Sequence, residues 1–329
     1  MSQDEPGVVG DLGEHALIER VVGKFGSPPT DEVWSGDDTA AFGEGLLLTT
    51  DLMVEDVDFR LSYASGFDVG WKLVAANTSD IAAMGGRPWR AVAGVALRPD
   101  TSVEFVDSLA EGLASACREW NIGLVGGDFS SGREISATLA LLGRAHERGP
   151  VLRRGAKVGD ALCVTGALGG AAGGLLALNG EDAPGAELAA LIERQLRPRA
   201  RVAEGEALAG LVTAMIDISD GLAVDLGHLT DSSGVGCDVD IALIPVDPGL
   251  PRLASTDAAQ SEALAITGGE DFELLFTIDE GHLDEAGAAL AGTGTRSTRI
   301  GVITDGPARI GGRDLDEWRA QGWEHLRGR

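Results

Sequence analysis

Apolar positions recur along the chain with either the helical period or the strand period. In one stretch with helical spacing, an acidic residue interrupts the apolar positions. In residues 71–90, WKLVAANTSDIAAMGGRPWR, apolar side chains recur close to the helical period. The pattern predicts a helix that ends at Gly85, because a second glycine and Pro88 follow. Asp80 interrupts the apolar stripe, and a carboxylate there is costly to bury unless a donor or a cation meets it. Asp80 is therefore either a satisfied structural contact or a metal ligand.

A β-hairpin is predicted over residues 36–53, where two short apolar segments flank a Gly-Glu-Gly turn. Asp38 precedes the first segment, whereas Thr49, Thr50 and Asp51 follow the second. The two ends of a hairpin lie side by side, so we expect Asp38 and Asp51 to face each other.

Further apolar runs predict strands, and amphipathic stretches between them predict helices. Strands are expected over residues 91–97, 122–125, 136–143, 161–165, 213–217, 235–244 and 299–303, with short apolar strands at 263–267 and after 268–273. Helices are expected over residues 11–25, 102–120, 187–196, 201–211, 222–230 and 280–291. This alternation favours an α/β or α+β fold. Residues 147–156, rich in Arg, Gly and Pro, indicate a crossing between two domains, 1–149 and 150–329.

Acidic residues follow several of the predicted strands. They are Asp51, Asp128, Asp217 with Asp220, and Glu270 with Asp271. One such acid is usually a turn residue, but several at one edge of a sheet repel each other unless cations neutralise them. Oxygen ligands of this kind favour Mg²⁺, so the pattern predicts a magnesium site. The glycine-rich turn at 166–174 lacks the spacing of known phosphate loops and is interpreted as a packing device rather than a phosphate cradle.

Composition narrows the classes of function. The 329 residues include 52 acidic and 26 basic side chains, a formal net charge of -26, which disfavours binding to nucleic acid or to an anionic membrane surface. Three widely spaced cysteines disfavour a disulfide framework and fit a reducing compartment. No apolar run reaches the roughly 20 residues of a membrane helix, and the first ten residues lack the apolar core of a signal peptide. We therefore expect a cytoplasmic protein.

Lysine is scarce, which limits how the chain can bind a nucleotide. Its three lysines are Lys24, Lys72 and Lys157, and none lies in a phosphate-binding motif. If the protein handles a nucleotide, metal ions must supply most of the positive charge, with a smaller contribution from Arg153 and Arg154. Phosphoryl transfer is catalysed in that way, by positioning and charge neutralisation.

Four motifs together resemble those of the thiamine-monophosphate kinase family. They are NTSDIAAMGGRP (77–88), GGD (126–128), DISDGL (217–222) and GGEDFEL (268–274). The family belongs to the superfamily of aminoimidazole ribonucleotide synthetases, selenophosphate synthetases and hydrogenase-maturation dehydratases, and the resemblance runs from about Gly10 to the C-terminus. It implies a two-domain fold with a C-terminal α/β sandwich, and a homodimer whose N-terminal mixed sheets pair into a barrel. It also implies ATP-dependent conversion of thiamine monophosphate to thiamine diphosphate, with ATP and several Mg²⁺ between the domains.

The resemblance also implies roles for individual residues. The positions that match magnesium ligands are Asp38, Thr49, Thr50, Asp51, Asp80, Asp128, Asp217 and Asp220. Gly127, Asp128, Arg153 and Ser219 match contacts to ATP, although a one-residue shift would put Arg154 in place of Arg153. Glu270 and Trp323 match contacts to the substrate. A third substrate position departs from the family, because Asp58 stands where a His before a Phe is usual, and an acid there repels a phosphate.

The chemistry of such a kinase fits a site without an obvious catalytic His or Lys. The attacking group is a phosphate oxygen that is already ionised near neutral pH, since its second pKa is about 6. Two alternatives stay open at this stage. One is another ATP-using member of the superfamily, of the cyclo-ligase type, against which the GGEDFEL motif argues. The other is a non-catalytic nucleotide- or metal-binding dimer, against which the near-complete acidic set argues.

Overall fold

Two separate β-sheets, one in each half of the chain, organise the protein. The computed structural model describes residues 8–322 except 12, 181–185 and 254–255. Strands from residues 40–144 form a five-stranded sheet, and strands from residues 161–314 form a seven-stranded sheet. The predicted boundary between residues 149 and 150 lies in the connection between the two sheets, and its exact position stays a prediction.

The N-terminal sheet is mixed, in the order β1-β2-β5-β3-β4. All neighbours are antiparallel except β3 and β4, which are parallel. The strands are β1 (Ala40–Phe42), β2 (Leu46–Val54), β3 (Arg87–Leu97), β4 (Gly123–Ser131) and β5 (Ser136–Arg144). The predicted hairpin is confirmed as β1 and β2, but Thr49, Thr50 and Asp51 lie within β2, paired with β5, instead of after it. The prediction that β4 stops before the GGD motif is wrong, because β4 stays paired with β3 beyond Asp128, which lies opposite Gly94.

Two long helices cover one face of this sheet. The helices of this half are α1 (Gly13–Val22), α2 (Gly66–Ala83) and α3 (Val103–Glu119). α2 begins with a capping box between Ser65 and Asp68. Glycines let the two long helices approach closely: a side chain at Gly70 would collide with the backbone of Leu109 in α3. α2 is therefore buried along almost its whole length, between the sheet, α3 and the second domain.

The opposite face of the N-terminal sheet is open and apolar. Leu48, Leu52 and Val92 are 38%, 59% and 45% exposed there. Side chains alternate between the two faces of a strand, so Thr50 shares this open face with Leu48 and Leu52. Thr49 and Asp51 point to the other face, toward α2.

The C-terminal sheet has the order β12-β11-β8-β10-β6-β9-β7, and only the β11–β8 pair is parallel. Its strands are β6 (Ala161–Thr165), β7 (Ala214–Asp217), β8 (Gly236–Val239), β9 (Leu274–Ile278), β10 (Ser297–Thr304), β11 (Arg309–Ile310) and β12 (Arg313–Asp314). The strands β6 and β9 and the edge strand β7 are buried throughout. The predicted strand over 235–244 is too long, because Asp240 caps a 3₁₀ turn over Ile241–Leu243.

Helices flank the C-terminal sheet and complete the α/β architecture expected from the sequence. They are α4 (Gly170–Asn179), α5 (Ala186–Leu196), α6 (Val202–Leu208), α7 (Leu222–Ser233), α8 (Ala258–Thr267), α9 (Leu283–Ala291) and α10 (Leu315–Arg319). The apolar run at 263–267, interpreted above as a strand, is the end of α8. A capping box between Asp257 and Gln260 starts that helix. None of the helices in the described ranges has the length and hydrophobicity needed to cross a membrane.

Candidate active site

Acidic side chains from both domains converge between α2 and the end of β7. The Thr49 hydroxyl donates to Asp80 Oδ2 at 2.5 Å, which connects β2 with α2. The Ser79 hydroxyl donates to Asp217 Oδ2 at 2.5 Å, which connects α2 with the second domain. The charges of Asp38 and Asp51 act together on both Asp80 and Asp217. Four predicted metal positions, Asp38, Asp51, Asp80 and Asp217, therefore form one cluster, which we call the acidic cluster.

α2 brings polar side chains into this cluster from its buried face. Asn77 and Ser79 are fully buried. Asn77 donates to the Leu73 carbonyl at 2.8 Å and accepts from the Asp51 backbone N–H at 3.1 Å. This second bond fixes the position of Asp51 relative to the helix. The polar residues that break the apolar stripe of α2 are thus the ones that join it to β2 and β7.

The DISDGL segment turns sharply after β7, and this turn presents its polar residues to the cluster. Asp217 is the last residue of β7. Gly221 has φ +108°, and a side chain there would meet the Thr267 backbone at 2.9 Å, so only glycine suits the position. The buried Asp225 carboxylate accepts from the backbone N–H groups of Ser219 and Asp220, each at 3.1 Å. α7 thereby fixes the loop that carries two of the predicted ligand and nucleotide contacts.

Arg153 provides a positive charge inside the acidic cluster. Its guanidinium donates to Asp38 Oδ1 from Nε at 3.2 Å and from Nη2 at 2.7 Å. Its backbone N–H donates to the Asp37 carboxylate. Burial works against its charge, but the Asp38 carboxylate more than compensates and raises the pKa of Arg153. Arg154 is exposed to solvent, so the geometry favours Arg153 of the two arginines left open by the sequence.

One arginine does not neutralise this many acids. Burial, followed by the charge of Asp38, raises the pKa of Asp217 to about 8. Burial and the nearby Asp220 raise the pKa of Asp51 to about 6. Burial and the charge of Asp51 raise the pKa of Asp80 well above its usual value. The protein by itself therefore disfavours the ionised cluster near neutral pH, as expected of a site that takes up cations.

Two carboxylate oxygens of the acidic cluster point to the same conclusion. Asp38 Oδ2 and Asp51 Oδ2 are buried and have no hydrogen-bond partner among the described residues. A buried carboxylate oxygen without a donor is costly. Cation ligation would satisfy both atoms, and hard divalent cations prefer carboxylate and hydroxyl oxygens. The residues present thus fit a magnesium site.

Thr50 and Asp128 lie apart from this group. Asp128 aligns across the sheet with Gly94, Thr138 and Leu52, which places it on the open face. Thr50 lies there as well, with its hydroxyl 3.3 Å from that of Thr138. Both residues line a cavity of about 430 Å³. Their predicted roles as metal ligands stay predictions, and any cation that they bind lies on the opposite side of β2 from Thr49.

Gly127, a predicted ATP contact, lines the same open-face cavity. A side chain at this position would meet the Ala93 carbonyl oxygen at 2.3 Å. The close approach of β4 to β3 therefore requires glycine, and packing alone accounts for this part of the GGD motif. A contact with ATP at Gly127 stays a prediction.

The predicted substrate residues lie beside a buried lysine. Lys72 is 4% exposed and forms an ion pair with Glu270, whose other carboxylate oxygen accepts from Gln195 Nε2 at 2.8 Å. Glu270 has φ +69°, a strained value for a residue with a side chain. Asp58 Oδ2 accepts from the Val54 backbone N–H at 2.7 Å, so this acid also stabilises the turn after β2. Trp323 lies outside the described residues.

The glycine-rich turn before α4 already holds an anion of its own. Asp271 is buried, and its carboxylate accepts from the backbone N–H groups of Gly169 and Ala171 at the start of the helix. Helix N-termini favour negative charge at this position. Asp271 therefore occupies the place that a phosphate would take in a cradle, which supports the interpretation of this turn as a packing device.

Sequence reasoning missed several residues of the site. Lys72 was counted but not placed, and Ser79, Gln195 and Asp225 were not assigned a role. His228 was not recognised either, although it lies one turn after Asp225, and their ligand atoms and one of Asp220 all lie within 4.8 Å of one another. The i, i+3 spacing of Asp225 and His228 on the predicted helix was an available signal. No local pattern marked Lys72 or Gln195, because their partner, Glu270, is far away in sequence.

Comparison with known proteins identifies the family. Residues 36–145 match the family described as AIR synthase related protein, N-terminal domain, and residues 157–311 match its C-terminal domain. Thiamine-monophosphate kinase of Mycobacterium tuberculosis (strain ATCC 25618 / H37Rv) is 36% identical over 320 residues, which cover 95% of this chain and 91% of that protein.

Two solved structures have the same fold over nearly the whole chain. Thiamine monophosphate kinase from Aquifex aeolicus has a TM-score of 0.81 at 31% identity, covering 93% of this chain and 99% of its own. AaThiL complexed with AMPPCP and TMP has a TM-score of 0.85 at 30% identity, covering 98% and 100%. The chain therefore belongs to the thiamine-monophosphate kinase family.

Proposed function

We propose that this protein transfers the γ-phosphoryl group of ATP to thiamine monophosphate and so produces thiamine diphosphate and ADP. The observation that carries the proposal is the acidic cluster with its two unpartnered carboxylate oxygens, Asp38 Oδ2 and Asp51 Oδ2. Such a cluster is suited to hold the divalent cations that accompany a triphosphate. The related structure of AaThiL with AMPPCP and TMP supports the same pair of ligands.

In this reaction, the protein mainly positions the two substrates and neutralises the negative charge of their phosphates. An oxygen of the acceptor phosphate forms a new bond to the γ-phosphorus, and the bond from that phosphorus to the β,γ-bridging oxygen breaks, so that ADP leaves. The attacking oxygen is already ionised near neutral pH, and no side chain needs to remove a proton. Arg153 is held beside Asp38 and Asp37, where it reduces the repulsion between the cluster and a phosphate.

Magnesium ions would be held by Asp38, Thr49, Asp51, Asp80 and Asp217, with Asp220 in the adjoining loop. When bound, they would supply the positive charge that balances the phosphates of both substrates. Thr50 and Asp128 would hold a separate cation on the open face. Gly127 on that face and Ser219 in the DISDGL loop would contact ATP. The Ser79–Asp217 and Asn77–Asp51 hydrogen bonds hold two of these acids in place before any cation arrives.

We also propose that two copies of the chain associate through the open face of the N-terminal sheet. Leu48 and Leu52 on β2 and Val92 on β3 expose apolar side chains on this face, with β5 between the two strands. Exposed apolar patches of this kind mark interaction sites in stable proteins. A second copy supplies a matching apolar face, because a two-fold interface uses the same surface on both partners.

The activity test uses purified full-length protein with ATP, Mg²⁺ and thiamine monophosphate. ADP is followed by a coupled assay, and thiamine diphosphate is separated and quantified by chromatography. We expect equal amounts of both products, and none when Mg²⁺ is left out or when free thiamine replaces thiamine monophosphate. Absence of thiamine diphosphate under these conditions would refute the proposal.

Asp80→Asn tests the acidic cluster itself. The variant keeps the shape of the side chain but loses its charge, so turnover should fall at least about 100-fold while the protein stays folded. Asp305→Asn is the matched control, because Asp305 is exposed and remote from the cluster. A panel of other phosphate and amide acceptors, assayed by ADP formation, tests the cyclo-ligase alternative. Faster ADP formation with one of those acceptors would favour that alternative.

A further inference from the structure

Gln195, near the end of α5, is a buried amide with one satisfied and one unsatisfied end. Its side chain is 3% exposed. Its Nε2 donates to Glu270 Oε2 at 2.8 Å. Its Oε1 is buried and has no hydrogen-bond partner among the residues that the structure describes. A buried amide oxygen without a donor is costly, so this atom marks a place where a donor is missing.

The orientation of the amide is fixed by its neighbours. The alternative orientation would turn the amide oxygen toward the Glu270 carboxylate and give two acceptors facing each other. Lys72 holds the other oxygen of the same carboxylate in an ion pair. Lys72 and Glu270 together therefore keep Nε2 occupied and leave Oε1 as an acceptor.

Gln195 lines a narrow cavity between the two domains, together with Asp58, Phe59, Tyr63 and Lys72. The cavity has room for about one group the size of a water molecule, so an aromatic ring does not enter it. An amino group projecting from a ring does fit. Two of the side chains that line the cavity, those of Gln195 and Asp58, carry acceptor oxygens, which favour a group that donates hydrogen bonds.

We propose that Gln195 accepts a hydrogen bond from the amino group on the pyrimidine ring of the acceptor substrate, an inference that rests on the proposed function. Gln195 is then a specificity-determining residue, and the Lys72–Glu270 pair positions it. The alternative is a structural water that satisfies Oε1 and plays no part in recognition. If Gln195 contacts the amino group, replacing that group and replacing Gln195 should weaken substrate binding to the same extent. If a water satisfies Oε1, the two replacements should have unrelated effects on binding.

The test compares thiamine monophosphate with oxythiamine monophosphate, which has an oxygen in place of the pyrimidine amino group. Binding of each is measured by calorimetry without ATP, and phosphorylation is measured separately. Wild-type protein should bind thiamine monophosphate roughly 10- to 100-fold more tightly than the oxygen analogue. Gln195→Met should bind thiamine monophosphate about as weakly as the analogue and so lose the discrimination. Gln321→Met, at an exposed glutamine on the surface of the second domain, is the control and should discriminate like the wild type.

Each outcome decides the matter. If wild-type protein does not discriminate, or if Gln195→Met discriminates as wild type does, the inference is wrong and Oε1 is satisfied by water. The wild-type comparison holds even if Gln195→Met fails to fold, which circular dichroism reveals. Binding with discrimination but without phosphorylation would refute the proposed kinase and leave this contact standing. Phosphorylation of both compounds at equal efficiency by wild-type protein would refute the contact and leave the kinase standing.

Discussion

Ser79 and Asp217, which lie 138 positions apart in the sequence, share a 2.5 Å hydrogen bond across the interface between the two domains. Ser79 is fully buried in α2, and Asp217 ends β7 in the middle of the acidic cluster. The hydroxyl stabilises the ionised form of Asp217, which its burial otherwise disfavours. The bond therefore links the packing of the domains to the charge of the cluster.

Removing this hydroxyl tests that link. In Ser79→Ala, Asp217 loses its donor, and its ionised form becomes harder to maintain at neutral pH. A hydrogen bond to a charged group is worth about 1.5–3 kcal/mol, so the Mg²⁺ concentration for half-maximal kinase activity should rise roughly 10-fold or more. Ser115→Ala is the matched control, because that hydroxyl contacts Glu111 on the exposed side of α3. An unchanged Mg²⁺ requirement in Ser79→Ala would contradict the role of this bond.

The pKa shifts predict how the metal-free protein responds to pH. Folding raises the pKa of Asp51 to about 6, of Asp271 to about 7 and of Asp217 to about 8, whereas an unfolded Asp titrates at about 3.9. The folded state therefore holds more protons than the unfolded state between pH 4 and 8. The free energy of unfolding should fall as pH rises through this window and level off above it.

Urea unfolding at pH 5.5, 6.5, 7.5 and 8.5 measures this effect. Without divalent cations, the midpoint urea concentration should decrease with pH, and saturating Mg²⁺ should reduce the decrease because cations stabilise the ionised acids. Binding of Mg²⁺ at pH 7 should release protons, which calorimetry in buffers of different ionisation enthalpy detects. A metal-free protein that becomes more stable from pH 5.5 to 7.5 would contradict the raised pKa values.

The acidic cluster shows which features of the site can be predicted from the sequence and which cannot. The residue types pointed correctly to acids that converge, but the expectation that each acid follows a strand at one sheet edge holds only for Asp217 and Asp220, at and just after the end of β7. Asp51 lies inside β2, Asp128 lies inside β4, and Glu270 follows the helix α8. Strand ends depend on which neighbour pairs with the strand, and a single sequence does not encode that partner locally.

The convergence itself comes from packing between domains. α2 is a buried helix with one polar stripe, and this stripe meets β2 on one side and β7 on the other. The helix was predictable from its spacing, but its two partners were not. Lys72 illustrates the same limit, since a lysine with 4% exposure is unusual and is explained only by Glu270, 198 positions later.

Lys72→Met tests the substrate side of the site. The substitution keeps the length of the side chain and removes its charge, so the Glu270 carboxylate loses its cation and its strained backbone position loses a restraint. The KM for thiamine monophosphate should rise roughly 10-fold or more, whereas the KM for ATP should change less than about 3-fold. Lys24→Met, outside the site after α1, should leave both constants unchanged. Equal changes in both KM values would indicate a general loss of structure instead of a substrate-side role.

The open face of the N-terminal sheet yields the last prediction. Leu52 is 59% exposed on that face, and a lysine there would have to lose water or meet the same charge on a two-fold partner. Leu52→Lys should therefore shift the protein from dimer to monomer at micromolar concentration, as measured by sedimentation velocity. Leu243→Lys is the control, because Leu243 is 48% exposed on the second domain, away from the sheet face, and its dimer should persist. Since a monomer would leave the apolar face in water, Leu52→Lys should also show increased binding of a hydrophobic dye. A wild-type protein that sediments as a monomer, or a Leu52→Lys dimer as stable as the wild type, would show that this face does not hold two copies together.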